Sequence, residues 1–326
     1  MMRALLLVVC GSVAMAEDVP QAKLLDAAKR GLALLVETSP TFIKKGGCNS
    51  CHNQMLPAVA QAFARKHGVD AGPVLEMMPP ETNEFTMERL LEYNSFGPNS
   101  LGYELFSYAG TGRPGDTRIH ALMHVLKSSQ QPAGHWVTPG NRPPLTVDDY
   151  STTAFAIHAL KIYAAEGKRA DHDARIARAR SWLLEAKPGT VQERAFQVLG
   201  LAWSKASAEA IAKAARGLQS MQAKDGGWSQ LPAMPNDAYA TGLALWALYE
   251  GGVSTRDAAY QSGLKWLLQK QAADGTWLVK TRALPVQPYF ESGYPYGHDQ
   301  WISAAGAAYA TMAISAAIEP QRTARR

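Results

Sequence analysis

Three segments of the chain share one pattern of apolar and polar positions. Each opens with apolar residues spaced three and four apart, passes through a turn that ends in Trp, and continues into a stretch of small and apolar residues. The first spacing predicts an amphipathic helix, and the uniform stretch predicts a helix buried on all sides. The segments span residues 119–163, 217–252 and 263–314.

An aspartate stands where each apolar stretch begins, at Asp149, Asp237 and Asp299. A carboxylate at that place can accept hydrogen bonds from the amides of the first helical turn, so we predict helix caps there. Weaker copies of the pattern occupy residues 86–110 and 179–203, and no alternating Val/Ile/Thr-rich stretch indicates a strand. The sequence therefore predicts an all-α protein.

A helix that is apolar on all sides cannot be covered within a single pair of helices, so successive pairs must stack. We predict a closed α/α toroid of five to six helical hairpins, with the apolar helices inside. The segments QAKDGGW (222–228) and QAADGTW (271–277) resemble the QW-type repeats of squalene–hopene cyclases and, more distantly, of protein prenyltransferase β subunits. The resemblance covers about residues 119–318 and implies the toroid; it does not by itself imply cyclisation.

The resemblance also implies where cyclase chemistry would lie. Those cyclases protonate a polyene with an aspartate of a D-x-D-D motif, and the best match here is Thr146-Val147-Asp148-Asp149. Asp148 would align with the proton donor, but the first carboxylate of the motif is replaced by Thr146. The structural alternative is that Asp148 and Asp149 are a helix cap and an exposed acid. The zinc site of the prenyltransferases cannot be carried over, because no cysteine follows Cys51.

The first residues have the features of a secretory signal peptide. Arg3 precedes an apolar run at residues 5–9, and Ala14-Met15-Ala16 is a cleavage pattern. We therefore predict a signal peptide at 1–16, one toroid domain at 17–320, a basic tail at 321–326, and export to the periplasm. Lipoprotein acylation at Cys10 is disfavoured because Val9 is bulky. No later stretch has the roughly 18 apolar residues of a membrane span.

The net charge of +5 does not indicate a nucleic-acid partner. Lysines and arginines are scattered among acids, and no basic stripe is interleaved with exposed aromatic residues.

The segment 44–55 contains Cys48-Asn49-Ser50-Cys51-His52, a C-x-x-C-H sequence. Two thiols one turn apart, followed by a histidine, suit covalent attachment of one haem c with His52 as iron ligand, and export suits haem maturation. The motif resembles the haem-binding segment of class I cytochromes c over about ten residues. A Cys48–Cys51 disulfide, a redox pair and a zinc site are the alternatives.

Other residues are candidates for the site around this motif. His298 directly precedes a repeat aspartate and is our preferred distal iron ligand, ahead of His135 and the Met77-Met78 pair. The aromatic residues Tyr289, Phe290, Tyr294, Tyr296 and Trp301 either line an apolar cavity or pack the end of the barrel. We expect Trp136, Trp228 and Trp277 to pack the repeats, His158 to be a satisfied core residue, His120 and His124 to form a polar face, and His67 and His172 to be exposed.

The sequence thus favours an exported monohaem protein on a cyclase-like toroid. It would transfer electrons to a redox partner protein that the sequence does not name, or perform redox chemistry on a small apolar ligand in the ring. The alternatives are a terpenoid-type cyclase or lyase using Asp148, and a non-catalytic binding protein with a Cys48–Cys51 disulfide.

Overall fold

The computed structural model describes residues 18–46, 50–75, 97–140, 142–285 and 287–319. These residues form α-helices and short helical turns, with two isolated β-bridges and no strand. The α-helices are α1 (Gln21–Gly46), α2 (Leu56–Lys66), α3 (Pro98–Gly110), α4 (Thr117–Ser128), α5 (Asp149–Ile162), α6 (Arg169–Glu185), α7 (Val191–Trp203), α8 (Ala208–Gln219), α9 (Ala238–Glu250), α10 (Ala258–Lys270) and α11 (Gln300–Ala316).

Six helices form a closed inner ring. The helices α2, α3, α5, α7, α9 and α11 pack in that order, and α11 also packs against α2. The outer helices α1, α4, α6, α8 and α10 lie against this ring. The predicted α/α toroid is confirmed, with the uniformly apolar helices inside. The start of the weakest repeat, residues 86–96, lies outside the described residues.

The inner helices are buried because their side chains are small or apolar on every face. In α9 and α11 nearly all side chains are buried. A methyl group at Gly242 of α9 would lie 2.4 Å from the backbone nitrogen of Ala310 in α11. Glycine is therefore required where these two helices approach most closely.

The glutamine and tryptophan of each repeat hold its outer helix to its neighbours. Gln222 Nε2 donates to the carbonyl oxygen of Gly226 in its own turn and to that of Ala259 in the next outer helix, both at 2.8 Å. Trp228 is fully buried, and its Nε1 donates to the Leu218 carbonyl ten residues earlier. Gln130 and Gln271 repeat the glutamine bonds, and Trp136 and Trp277 repeat the tryptophan bond. The expected packing role of the three tryptophans is confirmed.

The repeat that contains Gln271 closes the ring. Gln271 Nε2 donates to the carbonyl oxygen of Ala27 in α1 at 2.9 Å. Gly275 has a positive φ of 89°, and a methyl group there would lie 2.4 Å from the Arg30 carbonyl oxygen. The last repeat therefore binds the first helix by the same contacts that join repeats elsewhere. None of the described helices is long and apolar enough to span a membrane.

Candidate functional site

The first inner helix begins differently from the later ones. A single π-helical turn, Cys51–Met55, precedes α2, and Ser50 caps it by accepting from the Asn53 amide at 3.0 Å. Gln54 Oε1 accepts from both the amide and the hydroxyl of Ser50, while its Nε2 donates to the Ser39 carbonyl of α1. The turn is thus held at both ends, which fixes the position of Cys51 and His52 within it.

His52 is 1% exposed and packs between two aromatic rings. Its ring packs edge-on against two others: the ring centroid lies 5.2 Å from that of Phe42 and 5.5 Å from that of Trp301. Burial, and secondarily the charge of Arg142, lowers the pKa of His52 to about 3. The imidazole is therefore neutral at physiological pH.

The neutral ring has one nitrogen available for binding. His52 Nδ1 lies 2.5 Å from Asn53 Oδ1, and because that oxygen can only accept, the proton belongs on Nδ1. The buried Nε2 then carries a lone pair, and no described residue donates a hydrogen bond to it. A neutral imidazole whose Nδ1–H is engaged is the form in which histidine binds metal ions.

Cys51 is half-buried and packs against the core, and its turn contacts α3 and α11, the helices that carry Tyr103 and Tyr309. The hydroxyls of Tyr103, Tyr239 and Tyr309, from three inner helices, are buried, and burial is the main cause of their raised pKa values. The charge of Cys51 makes a smaller contribution to these raised pKa values. The structure of Cys48 lies outside the described residues.

A cavity of about 260 Å³ opens at the rim beside His52. Its walls include His52, Arg142, Trp301 and His298, together with part of the predicted aromatic cluster. The Arg142 guanidinium lies over the Trp301 ring, 4.5 Å from its centroid, and the exposed His298 ring lies 4.3 Å from that of Tyr289. The structure therefore places His298 and His52 on one cavity.

The predicted aromatic cluster divides into two parts. Tyr289, Phe290 and Trp301 line the rim cavity. Tyr294 is 1% exposed and packs in the core, and the Tyr296 hydroxyl lies 2.6 Å from Thr276 Oγ1. Both interpretations of the cluster are thus partly correct.

Asp148 caps α5 within a buried hydrogen-bond network. Its Oδ1 accepts from the Ser151 amide at 2.7 Å, and its Oδ2 accepts from Gln192 Nε2. Gln192 Oε1 in turn accepts from the Tyr239 hydroxyl at 2.7 Å. Burial is the main cause that raises the pKa of Asp148 to about 6.

Only one of the three predicted repeat caps, Asp237, caps its helix, by accepting from the Ala240 amide at 2.9 Å. Asp149 is the first residue of α5, behind the cap Asp148, and its carboxylate accepts from the Thr138 amide. Asp299 ends a 3₁₀ turn and accepts from the Thr281 amide and Lys280. The capping prediction was therefore wrong for Asp149 and Asp299, because both carboxylates bind the preceding loop.

The remaining histidines do not join His52. His172 is buried and donates to the Leu160 carbonyl, so the prediction that it is exposed was wrong; His67 is also partly buried, against Phe63 and Tyr249. His158 packs on Phe106 and Trp203, but its Nδ1 has no hydrogen-bond partner among the described residues, so it is not satisfied.

Two further predictions concern the outer surface and the rim. His120 and His124 are exposed on α4, as expected for a polar face. His135 stacks on Trp182 and lies 3.7 Å from Asp149. Met77 and Met78 lie outside the described residues, and no group of three or more potential metal-binding His, Cys, Asp or Glu side chains occurs within the described ranges.

Sequence reasoning missed Arg142, Gln192 and the three buried tyrosines. Arg142 belongs to a different repeat from His52, and Gln192 to a different repeat from Asp148, so no local spacing relates either pair. The tyrosines do carry a signal: each places, in an inner helix, a hydroxyl that needs a partner when buried.

No protein-family model matches the chain, and no curated protein matches it. Solved structures do. The type II terpene cyclase MstE from Scytonema shares 15% identity, with 92% of this chain and 99% of that chain covered and a TM-score of 0.56. A polysaccharide lyase shares 11% identity (91% and 97% covered, TM-score 0.57). A possible GH105 family member from Salmonella enterica shares 10% identity (96% and 99% covered, TM-score 0.51). At these identities the similarity establishes a common α/α toroid fold.

Proposed function

We propose that the chain carries one covalently bound haem c, with thioether bonds from Cys48 and Cys51 and with His52 as an iron ligand. The observation that carries the proposal is the buried His52 Nε2, which has a lone pair and no partner among the described residues. Burying such a nitrogen without a hydrogen bond costs about 1–3 kcal/mol, and a bond to iron offsets that cost. The C-x-x-C-H sequence supplies the attachment chemistry.

The residues around His52 fit the iron-ligand role. Asn53 fixes the tautomer, Ser50 and Gln54 fix the turn, and His298 on the same cavity is the candidate for the sixth ligand. The cavity of about 260 Å³ is below the roughly 300–1,000 Å³ usual for ligand sites, so a haem bound to His52 would extend beyond it. When bound, the group would supply one-electron transfer or binding of a small ligand at iron, in an exported, periplasmic protein with a redox partner protein.

The test uses protein exported in a host that has the haem-attachment machinery. We expect an intact mass increased by one haem and a sharp α-band in the reduced-minus-oxidised spectrum, both lost in Cys51→Ala. Ser50→Ala is the matched control, because it alters the same turn and keeps every attachment atom. An unmodified mass without visible absorption would refute the haem and favour a Cys48–Cys51 disulfide.

A second candidate function is acid-catalysed chemistry at Asp148 on an apolar polyprenyl substrate, as in a terpenoid-type cyclase or lyase. It is supported by the raised pKa of Asp148 and by the toroid fold shared with a type II terpene cyclase. With a pKa of about 6, the carboxyl keeps a proton at mildly acidic pH and can donate it. Asp149, bound to the Thr138 amide, would position the start of α5.

This candidate predicts turnover of linear polyprenyl compounds by protein without haem, and loss of turnover in Asp148→Asn. The matched control is Asp237→Asn, which alters another carboxyl cap whose pKa burial also raises to about 6. Equal activity in the two variants would contradict a role for Asp148 as the acid.

A further inference from the structure

A series of aromatic side chains runs from Tyr309, in the inner helix α11 that contacts the turn Cys51–Met55, to the opposite end of the toroid. The Tyr309 ring lies 5.8 Å from Trp246, and Trp246 lies 5.9 Å from Trp203, measured between centroids. Trp203 is the last residue of α7, twelve residues after the first. At 1.5 Å per residue, the series ends on the order of 18 Å from the rim where Cys51 and His52 lie.

The two indoles of the series differ in what their N–H groups contact. Trp246 Nε1 is buried, and none of the described residues accepts a hydrogen bond from it. Trp203 Nε1 donates to Glu250 Oε2 at 3.1 Å. Burial is the main cause that raises the pKa of Glu250, which makes its carboxylate a better proton acceptor.

That difference determines which of the two tryptophans retains the radical after oxidation. An oxidised indole becomes a neutral radical when a base within hydrogen-bond reach takes its N–H proton. Trp203 has such a base in Glu250, whereas Trp246 has none among the described residues. Trp246, once oxidised, can therefore take an electron from a neighbouring ring, whereas Trp203 can lose its proton and remain a neutral radical.

We propose that Trp203 is a one-electron donor to the rim site, connected to it through Trp246 and Tyr309. This inference rests on the proposed haem. With hydrogen peroxide as oxidant, one peroxide takes two electrons and two protons and becomes two waters. When bound, a ferrous haem would supply one of these electrons, and Trp203 would supply the other. The Trp203 indole proton passes to Glu250, and the two protons consumed come from solvent in exchange with such groups.

The chain contains a matched control for this assignment in Trp266. Its Nε1 also donates to a carboxylate, Asp225 Oδ2, at 3.1 Å, and its exposure of 4% is close to the 8% of Trp203. No aromatic ring of the described residues is in contact with it. Trp266 thus matches Trp203 in its carboxylate partner and its burial, but its ring neighbour is Lys270 and it does not belong to the series.

The experiment treats reduced holoprotein with one equivalent of hydrogen peroxide and maps oxidised tryptophan by peptide mass spectrometry, with electron paramagnetic resonance for the radical. We expect oxidation at Trp203 to exceed that at Trp266 several-fold. Trp246→Phe should remove this excess, and Trp266→Phe should preserve it. Absorption spectra and thermal melting confirm that each variant is folded and carries haem.

The outcomes separate the two proposals. Equal oxidation of Trp203 and Trp266 in haem-loaded protein would overturn the proposed electron route but not the haem proposal. Oxidation mainly at Trp301, beside His52, would do the same. The same excess at Trp203 in Trp246→Phe would also overturn it. Protein without haem absorption would overturn both proposals.

Discussion

The inner helices α2 and α5 begin at the same rim with different chemistry. At α5 the Asp148 carboxylate is fully used, since it accepts from the helix amide of Ser151 and from Gln192. At α2 the cap is Ser50, and the next polar side chain, His52, leaves Nε2 without a hydrogen-bond partner in the described part of the chain. The fold uses Asp148 to begin a helix, whereas it derives no comparable bond from His52. This contrast between a satisfied cap and an unsatisfied buried nitrogen is the observation on which the haem proposal rests.

The largest expected effect is on stability at Asp148. Asp148→Ala removes the cap and leaves the buried Gln192 amide without its carboxylate, which should lower the free energy of unfolding by about 2–4 kcal/mol. Chemical denaturation measures it. Asp149→Ala is the control. It should lower the free energy of unfolding by less, because the Asp149 side chain is 36% exposed and water can replace its hydrogen bonds. Equal losses would mean that Asp148 is no more structural than its neighbour.

The next effect is the pH dependence of stability. The pKa of Asp148 is about 6 in the folded protein and 3.8 for an ordinary aspartate, so the folded state binds more protons between these values. The free energy of unfolding should therefore fall as the pH rises from about 4 to about 6, by up to about 3 kcal/mol for this group.

Denaturation of Asp148→Asn across that pH range tests this expectation. The variant should show a shallower fall, with a remaining part from Asp237, whose pKa is also about 6. In the double variant that also carries Asp237→Asn, the free energy of unfolding should fall even less with rising pH. An unchanged slope in the single variant would show that Asp148 is ionised in the same way in the folded and unfolded states.

The smallest effect is expected at His52. His52→Leu replaces the ring with an apolar side chain and removes the unsatisfied Nε2, while it costs the bond to Asn53. These terms oppose each other, so the free energy of unfolding should change by less than about 1 kcal/mol. The measurement belongs in a Cys51→Ala background, so that loss of a cofactor does not contribute. A loss as large as that of Asp148→Ala would make His52 a structural residue and remove the contrast.

The repeat pattern predicted most of the fold, because the Gln, Gly and Trp of the turn make the same contacts in each of the three strong copies. The long helix α1, which carries no repeat signal, was not predicted, although it packs against both α2 and α11. Between the adjacent Asp148 and Asp149, spacing alone could not identify the cap, since the choice depends on how the preceding loop reaches Thr138.

The site was predictable only in part. The C-x-x-C-H sequence identified His52, but its tautomer depends on Asn53, and its cavity depends on Arg142 and Trp301 from distant repeats. His172 was misjudged because its neighbours in sequence are charged, while its ring turns inward to the Leu160 carbonyl. Burial of a single polar residue on an outer helix is decided by the helix packed against it, which local sequence does not specify.

The bond from Gln271 to α1 also bears on how the protein is made. An open solenoid can begin folding while its later repeats are still being synthesised, because each repeat needs only its neighbour. Here α1 and α2 have a partner in α11, which begins only at Gln300. The first helices of the nascent chain stay uncovered until α11 has been synthesised, so termination before Gln300 should yield no stable ring.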